Sequence, residues 1–340
     1  MLRFFREYHH SSFLVLTLLA VALWVRTAIE GQPVAMTFDG VMRMPLYALL
    51  MDYLPLRPWA LLLMAFVVLN LLGIGINLLN NRYALIGQIT AMPAMLYVLL
   101  CSALPAVQRF NPALIAAALV LLAMHHLMAT YHQRDPLDHL FRAALDVGLA
   151  ALFYAPAALL LLWVYFALLV MRPFRLREWL VPTLGALLPF GIHVFYLFMT
   201  RQPVDSAWGL LWANLITPNR PPLEAWPLLV AAGCIGVPLL VAWVYLLPSR
   251  ARQKLEVRNY MVLIVGLLVL LLAAAGLLPG VGLEVLYIAA LPATFILANL
   301  FKQAALTKGL RLLFGLFVVG VFFAQAWLLT RQLWPLLGAA

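Results

Sequence analysis

Two polar-flanked stretches of this chain carry the residue types best suited to chemistry. Glu30–Arg57 holds Asp39 beside Gly40 and, four residues on, Arg43, while Thr200–Glu224 holds Arg201 and Arg220. A carboxylate such as Asp39 could take a proton from an acceptor hydroxyl or hold a divalent cation. Arg43, Arg201 and Arg220 could grip a phosphate through charge-assisted hydrogen bonds. The spacing is not diagnostic, and a solvated loop carboxylate beside a turn glycine is the plainer account of Asp39, which stands as the candidate catalytic residue. No cofactor motif is evident, and a divalent cation is the one cofactor this chemistry admits.

Other titratable groups are sparser. His126, His132, Asp135, Asp138 and His139 form a loose group, but Pro136 breaks the helical register among them. Arg134 and Arg142 interleave with those acids, so a solvated ion-pair network is expected there and no metal site. Adjacent His125 and His126 point about 100° apart on a helix and do not converge on one ion. Asp146 and Glu284 fall near the ends of apolar segments. Cys101 and Cys234 lie inside such segments and imply no disulfide framework. No GxGxxG, P-loop, HExxH or GxSxG pattern occurs in the required context.

Composition supplies the frame for these residues. Hydrophobic residues make up 66% of the 340 and charged residues 10%, against roughly 45–50% and about 25% in soluble domains. This is the make-up of a polytopic membrane protein in a single integral domain. The net charge of +10 is spread over short clusters between apolar runs, where it acts as topology signal and lipid head-group contact. Nucleic acid is not expected as a partner; membrane lipids are.

Apolar runs near the ~20 residues needed to cross a bilayer fall at Ser12–Ala28, Pro58–Asn77, Ala84–Leu104, Pro112–Tyr131, Trp179–Met199, Trp226–Leu247, Tyr260–Leu278, Leu283–Phe301 and Leu312–Leu329. The first is read as a retained helix, since Arg26 and Glu30 replace a small-residue cleavage site. Ala143–Met171 is harder. As one helix it would run about 43 Å, and as two it would give about 21 Å each. Pro156 disfavours helix at Ala155, which favours a hairpin. With the N-terminus cytoplasmic, the hairpin puts 15 of the 22 Lys and Arg residues inside. One span with the N-terminus outside puts 14 inside, so charge separates the two only weakly. The expected architecture is all-α, with about eleven spans, the N-terminus cytoplasmic and the C-terminus outside.

That topology puts Glu30–Arg57 and Thr200–Glu224 on one outer face. Leu46, Leu49, Leu50 and Leu54 recur at helical spacing opposite Asp52, and Trp208, Leu211, Trp212 and Leu215 recur likewise. Both stretches read as interfacial amphipathic helices framing an outer cavity, with anchoring loops at head-group depth as the simpler alternative.

The segments RFNP (Arg109–Pro112), DHLFRA (Asp138–Ala143), GLAALFYAPA (Gly148–Ala157) and FRLREWLVPTLGALLPF (Phe174–Phe190) resemble an uncharacterised family of polytopic inner-membrane proteins of Bacteroidota. The resemblance covers the central third of the chain and implies a bacterial inner membrane, but no activity. In architecture alone, the spans and the acidic first outer loop are similar to C-type glycosyltransferases that use polyprenyl-phosphate sugars. Those enzymes often pair two acids in that loop, whereas here Asp39 and Asp52 stand thirteen residues apart. This second likeness implies an enzyme of lipid-linked envelope glycans with a polyprenyl-phosphate substrate. A transporter or flippase, or a non-catalytic subunit of a membrane complex, are the alternative expectations.

Overall fold

The computed structural model describes residues 10–30, 43–53, 57–104, 107–131, 133–203, 205–219, 226–249, 254–302 and 308–337. These form thirteen α-helices and, among the described residues, no strand. In chain order they are α1 (His10–Glu30), α2 (Pro45–Tyr53), α3 (Pro58–Tyr83), α4 (Met92–Ser102), α5 (Pro112–Ala129), α6 (Leu137–Phe153), α7 (Leu160–Met171), α8 (Leu176–Met199), α9 (Asp205–Ile216), α10 (Trp226–Ser249), α11 (Leu255–Leu277), α12 (Leu286–Phe301) and α13 (Lys308–Leu337). Short 3-10 turns, Ala155–Leu159 and Leu283–Val285, precede α7 and α12.

Five segments are long and apolar enough to cross a membrane: α3, α5, α8, α11 and Leu283–Phe301. Their surfaces fit that role. On α3, Ala65, Leu69, Leu72 and Ile76 are buried, while Leu63, Val67, Leu71 and Leu78 on the other face are exposed. A helix apolar on both faces, between a packed core and its surroundings, belongs in lipid. The chain therefore has the make-up of a multi-pass membrane protein.

The centre of the bundle is α4 against α12. Every residue of α4 is buried, and so is nearly all of α12. Tyr97 donates to the Tyr287 carbonyl at 3.1 Å, and Tyr287 in turn to the Val107 carbonyl at 2.8 Å. Each buried hydroxyl thus finds an acceptor without water. The continuous span expected over Ala84–Leu104 is not what forms. Asn80 accepts from Ile86 N at 3.0 Å and donates to the Gln88 carbonyl at 3.2 Å, holding Ala84–Ala91 as a non-helical bend. Only the eleven residues of α4 remain helical, about 16 Å at about 1.5 Å per residue.

The segment Asp146–Arg177 reverses direction at its middle. Tyr154 adopts an extended backbone (φ −138°, ψ 104°) that ends α6, and Pro156 opens the 3-10 turn leading into α7. At the far end of α7, Arg172 donates to the carbonyls of Thr130 (2.7 Å) and Gln133 (3.0 Å), which lie just ahead of α6. The end of α7 therefore returns to the start of α6, as a hairpin requires. A close fit of α6 on α8 fixes its position: a Cβ added to Gly148 would stand 2.5 Å from the Ala186 carbonyl oxygen, and one added to Gly185 2.6 Å from that of Phe141. Small residues at such crossings let backbones touch where lipid gives no hydrophobic drive.

Helices α2 and α9 fall within Glu30–Arg57 and Thr200–Glu224. On α9, Leu215 is buried and Trp208 and Trp212 are exposed, with Trp208 stacked on Phe190. On α2, Leu50 packs against the core and Asp52 is exposed, while Leu54 lies outside the described residues.

Candidate functional site

At the end of the bundle where α6 turns into α7, five segments meet around a cavity of about 210 Å³. Each arrives for a local reason. In RFNP, Pro112 takes the first turn of α5, where a missing N–H costs nothing. Asn111 caps that helix, accepting from Leu114 N at 3.0 Å. Phe110 stacks on Tyr47 of α2 with ring centroids 6.4 Å apart, and Arg109 is left to line the cavity. The α6–α7 turn adds Tyr154 and Pro156, α9 adds Asn214, and the loop before α12 adds Gly280 and Glu284.

Glu284 is the centre of this arrangement. Its side chain is 5% exposed to solvent. Asn219 donates to one carboxylate oxygen at 2.9 Å, Gly282 leaves no room beneath the other for a Cβ, and Arg109 acts on the group from the loop ahead of α5. The loop is pinned to the end of α9 by Asn219 N to the Pro279 carbonyl (2.9 Å) and Gly280 N to the Leu215 carbonyl (3.1 Å). Gly280 lies so close to the Asn214 carbonyl that no side chain fits there.

Asn214 Oδ1, buried in the wall, makes no hydrogen bond among the described residues, and the buried Tyr154 hydroxyl lies beside the Glu284 carboxylate. Buried polar atoms of this kind are seldom left so without a ligand or water to meet them. Tyr47 stands between two cations: burial pushes its phenol above the usual range, and Arg43 and Arg109 pull it partly back. The cavity thus offers two guanidiniums, one buried carboxylate, two phenols and the Asn214 amide oxygen.

Of the residues expected to act from sequence, Arg43 lines this cavity. Arg201 does not. It occupies the left-handed position that ends α8 (φ 55°), where Gln202 N bonds back to the Leu197 carbonyl, and it is exposed. Asp39 and Arg220 lie outside the described residues, as does His132. Glu284, Arg109 and Tyr154 were not expected. The signal for them was present only in part: RFNP and YAP are turn-forming pieces, whereas Glu284 reads from sequence only as an acid near the end of an apolar segment.

At the opposite end of the bundle, His126 lies 3.4 Å from His139 and 3.8 Å from Asp146. Arg142 pairs with Asp138 at 3.0 Å in an exposed contact, one pair of the network expected there. Among the described residues no group of three His, Cys, Asp or Glu side chains is arranged to hold a metal ion.

The fold and this cavity define an all-helical membrane protein with a charged chamber at one end. Compared with known proteins, the chain matches no protein-family model, no curated protein and no solved structure.

Proposed function

We propose that this chain is a multi-pass protein of a bacterial inner membrane, with about eleven spans and a cytoplasmic N-terminus, that acts on a lipid-linked envelope glycan in the chamber at its outer end. The observation that carries this reading is the meeting of Arg43 and Arg109 with buried Glu284. Two guanidiniums suit a phosphate, which they hold by charge-assisted hydrogen bonds. Asn214 Oδ1, which has no partner among the described residues, and the Tyr154 hydroxyl suit the hydroxyls of a sugar.

In this reading a polyprenyl-phosphate sugar binds with its phosphate at the arginines. Glu284 takes the proton of the acceptor hydroxyl. The hydroxyl oxygen bonds to the anomeric carbon, and the bond from that carbon to the phosphate oxygen breaks. Its electron pair leaves on the polyprenyl phosphate, whose charge the two arginines meet. Asp39, outside the described residues, is the rival base.

A transporter or flippase is the second reading, supported by the His126–Asp146 pair, because titratable groups within membrane helices commonly mark ion paths.

Polyprenyl monophosphate binding to the full chain in lipid nanodiscs tests the site. Arg43→Glu and Arg109→Glu are expected to weaken it about 10-fold or more, with Arg201→Glu and Arg331→Glu near wild type. Equal losses at all four would mean general electrostatics and no site. In a glycan-transfer assay, Glu284→Gln should lower turnover about 10²-fold or more with binding retained. If Asp39→Asn does so and Glu284→Gln does not, the base is Asp39.

A further inference from the structure

A second cavity, of about 590 Å³, lies beside the first, within the ~300–1,000 Å³ range of sites for small organic ligands. Its wall is made by Leu46 and Leu49 of α2, Leu149 and Leu152 of α6, Ile192 of α8 and Leu210 of α9. The short helix α2 is the partition between the two: Tyr47 and Met51 face the charged chamber, Leu46 and Leu49 the apolar one. Arg43, just ahead of α2, lines both.

The position of the opening identifies the occupant. Ile192 and Leu49, at the rim, are 62% and 49% exposed. The same side of α8 continues with exposed Leu184, Leu188 and Phe195, an apolar surface that belongs against acyl chains. A ligand entering here comes sideways from the bilayer, lies along apolar walls and meets the exposed Arg43 guanidinium, which the slot shares with the charged chamber. A phosphate on a single flexible hydrocarbon chain has that order of groups. A free sugar phosphate lacks the chain, and a neutral lipid lacks the anion. Besides Arg43, the polar side chains of the wall are Asp52, His193, Gln202 and the two tyrosines Tyr53 and Tyr196, set in an otherwise apolar lining.

We infer that the second cavity is the slot for the hydrocarbon chain of a prenyl-type lipid phosphate, admitted laterally between α2 and α8, with Arg43 at the junction of chain and phosphate. The inference rests on the reading of the charged chamber as a phosphate site, but the slot is testable apart from it.

The test compares binding of dimethylallyl monophosphate, farnesyl monophosphate and uncharged farnesol to the full chain in nanodiscs. Wild type should prefer farnesyl over dimethylallyl monophosphate by about 10-fold or more, since the added methylenes leave water for the slot. Leu149→Trp and Leu210→Trp fill the slot from two separate walls, so that a folding defect in one leaves the other informative. Both should abolish the chain-length preference and farnesol binding, leaving dimethylallyl monophosphate binding and melting temperature near wild type. Equal wild-type affinities for the two phosphates, or a preference that survives in either folded Trp variant, overturns the slot. If farnesol binding is lost in the Trp variants while phosphate binding ignores Arg43→Glu and Arg109→Glu, the slot stands and the phosphate site falls.

Discussion

Asn219 Nδ2 donates to Glu284 Oε1 at 2.9 Å, joining parts of the chain 65 residues apart. The bond closes the floor of the charged chamber, because the same two segments also exchange the Asn219–Pro279 and Gly280–Leu215 backbone bonds. A buried carboxylate deprived of a donor bears the cost of its lost hydration in full.

Asn219→Ala is therefore expected to destabilise the protein by about 1–3 kcal/mol. Thermal unfolding in nanodiscs, followed by tryptophan fluorescence, measures it. An unchanged melting temperature would show that the Glu284 carboxylate does not depend on Asn219.

Arg172 and Glu178 form an ion pair at 3.0 Å with side chains 11% and 5% exposed, and Arg172 also holds the Thr130 and Gln133 carbonyls. Replacing Arg172 leaves the buried Glu178 with only Arg175, 3.6 Å away on an exposed side chain. Arg172→Met should cost about 3–5 kcal/mol, and the double change Arg172→Met with Glu178→Met should recover a large part of it. A double variant no more stable than Arg172→Met would mean that the carbonyl contacts outweigh the ion pair.

Gly148 and Gly185 sit where α6 and α8 touch backbone to backbone. Leucine at either site has to push the helices apart and should cost about 1–3 kcal/mol or more. Leucine at Gly191, where nothing lies within 4 Å of an added Cβ, should be near neutral by comparison. Expression and melting temperature of the three variants decide the matter.

The hairpin predicts sidedness. Arg134 and Arg175 are both exposed, near the end of the bundle where Arg172 meets Gln133. In a background with Cys101→Ser and Cys234→Ser, Arg134→Cys and Arg175→Cys should react with an impermeant thiol reagent from the same side of the membrane, and Arg201→Cys from the other. Opposite labelling of the first two would mean that the segment between them crosses once.

Much of this was legible in the chain alone, wherever the cause is local. Composition dictates apolar helices, because in lipid the backbone must satisfy its own hydrogen bonds. Pro156 marks the reversal between α6 and α7, since it lacks an N–H and disfavours helix at the residue before it. The leucine and tryptophan spacings within Glu30–Arg57 and Thr200–Glu224 are likewise local signals.

Other features needed the fold. Hydropathy averages over Ala84–Leu104 and misses the side-chain bonds by which Asn80 holds a bend ahead of α4. Glu284 looks from sequence like an acid at the end of an apolar run. It becomes a candidate base only where Arg109, Tyr154 and Asn219, from three other segments, surround it. Arg43 and Arg201 are alike as sequence, yet one lines two cavities and the other ends a helix in solvent. The physical reason is range. Helix formation is decided within a few residues of each position, whereas a buried charge is tolerated only where distant segments bring it partners, and tertiary packing alone brings them together.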